Sequence, residues 1–238
     1  AFDHEPLRLA NRGVFGLDQI PAHDFAKAKY IVSFGADFLE TWLAPVENQR
    51  GFADAHGYSR GAMAKHVYVG PRMSLTGMNA DEWHAVRPGS EAALALAMAN
   101  LLLSERLGAP AGAEGLRGTL AKYTPEFAAD ETGLPAETIR RLAREFASVR
   151  PSLAVAGGIA SQHRGATQLC AAVNLLNYVA GNIGQTVNFG ADLATGDGYA
   201  AVAALQQAMD RGEVGVLLVH ESNPAYTLPS ATGFTASL

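Results

Sequence analysis

At 238 residues and 48% apolar side chains, the chain is long enough to bury a sizeable core as one large or two small α/β domains. Its formal net charge of −5 gives no electrostatic reason to expect nucleic acid or an anionic membrane surface as partner. The single cysteine, Cys170, excludes an internal disulfide and a cysteine-built iron–sulfur or zinc site within these residues.

The opening stretch, AFDHEPLRLANRGVFGLDQIPAHDF, has Pro and Gly punctuation and no sustained period, and residues 1–27 read as an irregular arm. Then come YIVSFG (30–35), HVYVG (66–70) and WHAVRPG (83–89), short runs of β-branched and aromatic residues ending at Gly or Pro-Gly. They read as buried parallel strands. Residues 37–61 leave room for the crossover helix that a parallel pair requires. Ser90 is placed to cap the next helix, with Glu91 in its first turn, and that helix is expected to run to about Leu107. Its apolar run, 92–103, is well short of the ~20 residues of a membrane-spanning helix.

RLGAPAGAEGLRG (106–118) is the best internal boundary by composition. Two further helices are announced by Thr124-Pro125 and by GLPAETIRRLAREFASV, where Pro135 suits the first helical position and Ile139, Leu142, Ala143 and Phe146 form one apolar face. A first α/β domain is thus expected over 28–150 and part of a second over 151–238. The second would begin with a strand at 152–156, Gly157-Gly158, a polar loop, and a helix turning Leu169, Val173, Leu176 and Val179 inward until Gly181 stops it. A Gly/Asp-rich loop (190–198), an amphipathic helix near 200–209, and VGVLLVH (214–220) as another buried strand complete it.

Open α/β sheets bind ligands at the carboxyl ends of their strands, which directs attention to four places. GADFLETW offers Gly35 and Asp37; with one glycine of the three a dinucleotide fingerprint needs, Asp37 either faces a ligand or caps the next helix. GPRMSLTG supplies Arg72, Ser74 and Thr76, suited to a phosphate, with pairing of Arg72 to a nearby carboxylate as the alternative. GGIASQHRG places Gly158, Ser161 and His163 where a pyrophosphate would approach backbone closely; His163 has no partner at metal-ligand spacing. In HESNPAY, Asn223 either reads a purine edge or closes the Asn-Pro turn. Seven histidines fit too many pairings to define a nucleophile, Cys170 reads as a core thiol, and Asp81-Glu82 reads as solvated.

Taken in order, these motifs resemble the molybdopterin oxidoreductase family, over about residues 28–228. SFGADFLETWLAPV stands where the family has a G-S-N-P-like turn. VGPRMSLTG stands at its D-P-R-x-x-x-T strand end, RPGSE at its R-P-G-x-(D/E), GNIG (181–184) at its G-N-I-G turn, and HESNPA at its second N-P turn. The resemblance implies parallel-sheet, Rossmann-like three-layer α/β units. SFGADFLETWLAPVE, PRMSLTGMNADEWHAVRPGSE and NPAYTLP look most like the molybdopterin-like iron–sulfur subunit of alternative complex III, a bacterial quinol-oxidising membrane complex in which this fold is retained without molybdenum.

Two departures from the family pattern agree with that narrower likeness: the acidic residue of D-P-R is Gly70, and the first N-P turn is Asp37-Phe38. Asp3 and Asp18 are upstream aspartates, and neither sits in a molybdenum-ligand motif. The resemblance therefore implies a fragment of a respiratory electron-transfer subunit, not catalytic by itself. It would hold no cofactor, have iron–sulfur clusters elsewhere in the parent protein and other membrane-complex subunits as partners, and lie at the periplasmic face of the cytoplasmic membrane. The alternative is the central part of a true molybdenum enzyme. Gly35, Asp37, Arg72, Ser74, Thr76, Gly158, His163 and Asn223 would then line a molybdopterin guanine dinucleotide. An unrelated nucleotide-binding α/β protein is the third reading.

Overall fold

A computed structural model describes residues 4–58, 61–107, 110, 112–158, 162–192 and 196–238. Ser161 and Asp3 lie outside the described residues. The chain forms two compact units, one of residues 6–194 and one of residues 195–238 with 1–5. The first contains helix α1 (Glu5–Phe15), strands β1 (Ala22–His23) and β2 (Tyr30–Phe34), helix α2 (Pro45–His56), strand β3 (Lys65–Val69), helix α3 (Leu75–Met78), strand β4 (Glu82–His84) and helix α4 (Glu91–Ser104). Helices α5 (Arg117–Leu120), α6 (Pro125–Thr132) and α7 (Ala136–Ser148), strand β5 (Ser152–Ala156), helix α8 (Ala166–Ala180) and strand β6 (Val187–Asn188) follow.

Four strands make one parallel sheet in the order β4-β3-β2-β5, with Tyr30 opposite Lys65 on one side and Ser152 on the other. Strand alternation sends side chains to two cores. Tyr30, Val32, Phe34, Val67, Val69 and Ala154 join α4, α7 and α8 on one face. Ile31, Leu153 and Val155 meet Phe25, Phe38, Trp42 and Phe52 on the other. Helix–sheet–helix layering results, because all five residues of β2 are buried and a strand apolar on both faces needs cover on both.

The boundary expected near residue 150 is corrected here: β5 lies beside β2 in the same sheet, so residues 28–150 are not a separate domain. Nor is 106–118 a boundary, since it falls inside the first unit. The arm expected to be irregular holds α1, with Leu7, Ala10 and Asn11 buried at i, i+3, i+4 spacing. Strand β4 stops at His84, earlier than expected, since the chain leaves the sheet for α6, where Arg87 N–H donates to the Thr132 carbonyl.

Helix ends follow local chemistry. Ser90 stands at the N-cap of α4, but its hydroxyl donates back to the Arg87 carbonyl instead of capping. Thr124 does cap α6, accepting from Phe127 N–H at 3.1 Å. Thr124→Ala is expected to cost about 1 kcal/mol, read as a lowered urea midpoint with unchanged slope. Gly181 ends α8 at φ 74°, a left-handed turn that glycine adopts without steric cost.

The outer edge of β5 meets side chains instead of a strand. Ala154 N–H donates to Asn177 Oδ1 at 3.1 Å and Ala154 C=O accepts from Asn177 Nδ2 at 2.8 Å. Asn182 Nδ2 donates to the same Asn177 oxygen, and Thr186 hydroxyl donates to Ser152 C=O. An edge strand's unpaired groups are thereby satisfied internally.

At the amino ends of the strands, the Asp81-Glu82 pair expected to be solvated is engaged. Glu82 meets Lys65 at 2.6 Å and Arg141 at 2.7 Å, and Asp81 accepts from His66 N–H at 2.7 Å. The Arg141 guanidinium is the main cause that holds the Glu82 carboxyl down to about 2. Cys170 is a buried core thiol, pushed up to about 12 by that burial.

The second unit has helices α9 (Tyr199–Asp210) and α10 (Pro224–Thr227) and short 3-10 turns. The buried strand expected at 214–220 is a correction: those residues form no strand, and Val216 is 78% exposed. A strand needs a neighbouring backbone, and no described residue pairs with this one.

Candidate functional site

In a parallel sheet ordered β4-β3-β2-β5, the order in which strands are added reverses between β2 and β5, and the crevice outside the carboxyl ends at such a switch point is where these folds bind ligands. Six of the eight residues singled out from sequence stand at strand ends there or next to it: Gly35 after β2, Arg72, Ser74 and Thr76 after β3, Gly158 after β5, and Asp37.

Gly35 turns the chain at φ 68° and donates its N–H to the Val69 carbonyl. Asp37 is 1% exposed, and its carboxylate accepts from Tyr68 hydroxyl at 2.9 Å and from Arg72 Nη2 at 3.1 Å. Burial, with Asp37 adding to it, pushes the Tyr68 phenol well above its ordinary value, which keeps the hydroxyl a donor. The carboxylate-pairing alternative for Arg72 is therefore the observed one. Asp37 does not cap a helix with its side chain. Ser74 hydroxyl accepts from Gly77 N–H and caps α3, and Thr76 hydroxyl, fully buried, accepts from Leu39 N–H at 3.1 Å. Both hydroxyls thus tie the β2 and β3 loops to each other and to themselves.

The end of β5 meets residues that sequence reasoning did not single out: Trp42, Leu7 and, against Trp42, His23. Gly157 and Gly158 follow β5 at φ 108° and 87°. The positions their side chains would take lie 3.2 Å from Trp42 Nε1 and 3.0 Å from Trp42 Cδ1, and at Gly157 also 3.1 Å from Leu7 Cδ1. Trp42 is 1% exposed and packs tilted against the His23 ring, with centroids 4.9 Å apart. At the end of β3, a side chain at Gly70 would start 3.1 Å from the Tyr68 ring. The buried indole N–H and His23 Nδ1 have no hydrogen-bond partner. Trp42 had a signal in sequence, a large aromatic eight residues after β2; Leu7 had only its helical spacing.

His163 does not join this cluster, and Asn223 belongs to the other unit. His163 Nδ1 accepts from Gly165 N–H at 3.0 Å, closing the turn into α8. Asn223 belongs to the second unit, where its side chain accepts from Tyr226 N–H at 3.2 Å and closes the Asn-Pro turn. Among the described residues, no group of three or more His, Cys, Asp or Glu side chains is placed to hold a metal ion.

A parallel α/β sheet with glycine-rich turns at its switch point defines a nucleotide-binding type of architecture. The family model for molybdopterin oxidoreductases matches residues 10–231, and the chain belongs to that family. It is 30% identical over 233 residues to the menaquinone reductase molybdopterin-binding-like subunit of Nitratidesulfovibrio vulgaris, covering 91% of this chain and 33% of that one. It is 35% identical over 144 residues to the thiosulfate reductase molybdopterin-containing subunit of Salmonella typhimurium, covering 58% and 18%. Acetylene hydratase from Pelobacter acetylenicus has the same fold over 78% of this chain and 25% of its own, with TM-score 0.63 and 23% identity. The chain thus spans a third or less of the length of these proteins.

Proposed function

We propose that this chain is the central part of a molybdopterin oxidoreductase-like subunit of a respiratory electron-transfer complex, and that its fold serves as scaffold without a molybdenum cofactor. The carrying observation is the packing of Trp42 and Leu7 into the space left by Gly157 and Gly158 at the switch point. Glycines help phosphate binding by letting the group approach the backbone; here that approach is taken by an indole and an isobutyl group. Two further features support the reading. The Asp37 carboxylate sits buried among the strand-end loops, where it would repel a pyrophosphate. An acidic residue at position 70 would press on the Tyr68 ring. These residues fit the cofactor poorly.

The menaquinone reductase relative, itself named molybdopterin-binding-like, supports a role beside quinone chemistry, as in alternative complex III. Under that reading electrons pass through iron–sulfur domains outside these residues, the partners are the other subunits of a membrane complex, and the site of action is its periplasmic face. Among the described residues no helix is long and apolar enough to cross a membrane.

The test is metal and pterin analysis of the full-length native protein, by inductively coupled plasma mass spectrometry and fluorescence of oxidised pterin. Iron without molybdenum, tungsten or pterin is the expected result. Near-stoichiometric molybdenum with pterin would sink the scaffold reading in favour of a true molybdenum enzyme.

A further inference from the structure

The end of β3 sends two donors to one point beside the end of β2. Tyr68 hydroxyl reaches Asp37 Oδ1 at 2.9 Å and Arg72 Nη2 reaches Asp37 Oδ2 at 3.1 Å, so each carboxylate oxygen has its own donor. Among the described residues, Arg72 makes no other ion pair and Asp37 meets no other cation. The two side chains differ in exposure, 1% for Asp37 and 64% for Arg72. The carboxylate therefore lies inside, and the guanidinium reaches it from the solvent side.

The surroundings hold both partners in place. Asp37 C=O accepts from the N–H groups of Glu40, Thr41 and Trp42, which fixes where its side chain starts. The Tyr68 ring lies 3.1 Å from the positions that side chains would take at Gly70 and Gly77. Burying a carboxylate carries a desolvation cost that an apolar side chain of similar size avoids, so packing alone gives no reason for a charge here. The donors give one. A hydroxyl and a guanidinium aimed at a single point make charge-assisted bonds of the same kind to a carboxylate, a formate ion or a phosphate oxygen.

We propose that the ends of β2 and β3 form a small-oxyanion site whose resident occupant is the chain's own Asp37 carboxylate. Tyr68 and Arg72 hold that group in the place of a free anion, and its presence keeps external oxyanions out. The site is latent: removing the carboxylate opens it. This inference rests on the scaffold reading, to which it adds what fills the strand-end cradle and which class of ligand the cradle takes once emptied.

Anion rescue in the full-length protein tests it. Asp37→Ala removes the atoms of a carboxylate group, and formate is the matched probe. Sodium formate is expected to raise the melting midpoint of Asp37→Ala by roughly 2 °C or more above its value in sodium chloride of equal ionic strength. The parent and the double variant Asp37→Ala/Arg72→Ala are expected to show no such difference. Equal formate responses in the parent and Asp37→Ala overturn the proposal, as does a response that survives Arg72→Ala. Asp37→Asn gives an independent reading should Asp37→Ala fail to fold, because the amide keeps the shape and still accepts from Tyr68 while leaving Arg72 without a counter-charge. Phosphorus NMR with inorganic phosphate is expected to show binding to Asp37→Asn at least roughly tenfold tighter than to the parent, and equal binding overturns the proposal. Pterin in the native protein would sink the scaffold reading, whereas the lack of an anion response in a pterin-free protein would sink this inference alone.

Discussion

Asn177→Ala is expected to lower the free energy of unfolding by about 4 kcal/mol. The side chain is 2% exposed, and among the described residues its amide is the only partner of both the N–H and the C=O of Ala154 on the outer edge of β5. Truncation leaves those two buried backbone groups unpaired and also strips Asn182 Nδ2 of its acceptor. Each orphaned buried group costs about 1–3 kcal/mol, and the three losses are close enough to share relaxation, so they add only in part. A methyl group restores none of them. Asn174→Ala, one turn earlier on α8 with a single bond to Asn11, is expected to cost about 1 kcal/mol. Urea unfolding of both variants checks the ratio, and equal midpoints would show that the edge is satisfied in some other way.

Acid is expected to destabilise the fold between pH 6.5 and 4, with His66 as one contributor. Its ring is fully buried between Phe38 and Phe52, Nε2 has no partner, and Nδ1 reaches only the Asn79 carbonyl at 3.4 Å. Burial lowers its pKa from 6.5 to about 4; His56 pushes it the same way, while the Asn79 contact and Asp81 oppose. The folded form therefore binds fewer protons than the unfolded form across that window, and stability rises with pH through it. The contribution is complete above pH 6.5 and is lost as pH falls toward 4, an effect of about 3 kcal/mol. His23, also driven to about 4 by burial, adds in the same direction. His66→Phe removes the titrating group and should flatten the dependence in proportion. A pH series of thermal midpoints in which H66F and the parent fall in parallel would defeat the assignment.

Much of this architecture was legible because strands and helices announce themselves locally. YIVSF, KHVYV and SLAVA are β-branched runs stopped by glycine, and the structure has strands there. The apolar faces of α7 and α8 follow their 3.6-residue spacing. The misplaced boundary at residue 150 has a different origin. Nothing local tells β5 that its partner is β2, about 120 residues earlier, and composition shifts mark loops as readily as domains. The strand expected at 214–220 failed for a related reason: apolar composition states what a segment needs, whereas pairing depends on a neighbour.

The site divides in the same way. Family membership was readable from the order of weak motifs, since order survives when individual residues change. The pairing of Arg72 with a carboxylate stood among the alternatives, and the sequence had no means to choose it over a phosphate. Asn223 and His163 turned out to close their own turns, the local hydrogen bonding that Asn and His side chains offer wherever a loop enters a helix. The contact of Leu7 and Trp42 with Gly157 was beyond reach. It assembles three segments separated by 35 and 115 residues, and no periodicity encodes that meeting.

The position of β2 at the middle of the sheet also orders events during synthesis. Its two neighbours are β3, about 35 residues later, and β5, about 120 residues later. While the ribosome is still making α4 to α7, one edge of this wholly buried strand has its partner and the other has none. Closing so long a loop is slow compared with forming the β2–β3 pair. For those seconds of elongation the nascent chain presents a sticky strand edge to its surroundings. The step that ends this exposure is the emergence of Ala156, followed by α8, whose Asn177 then seals the next edge.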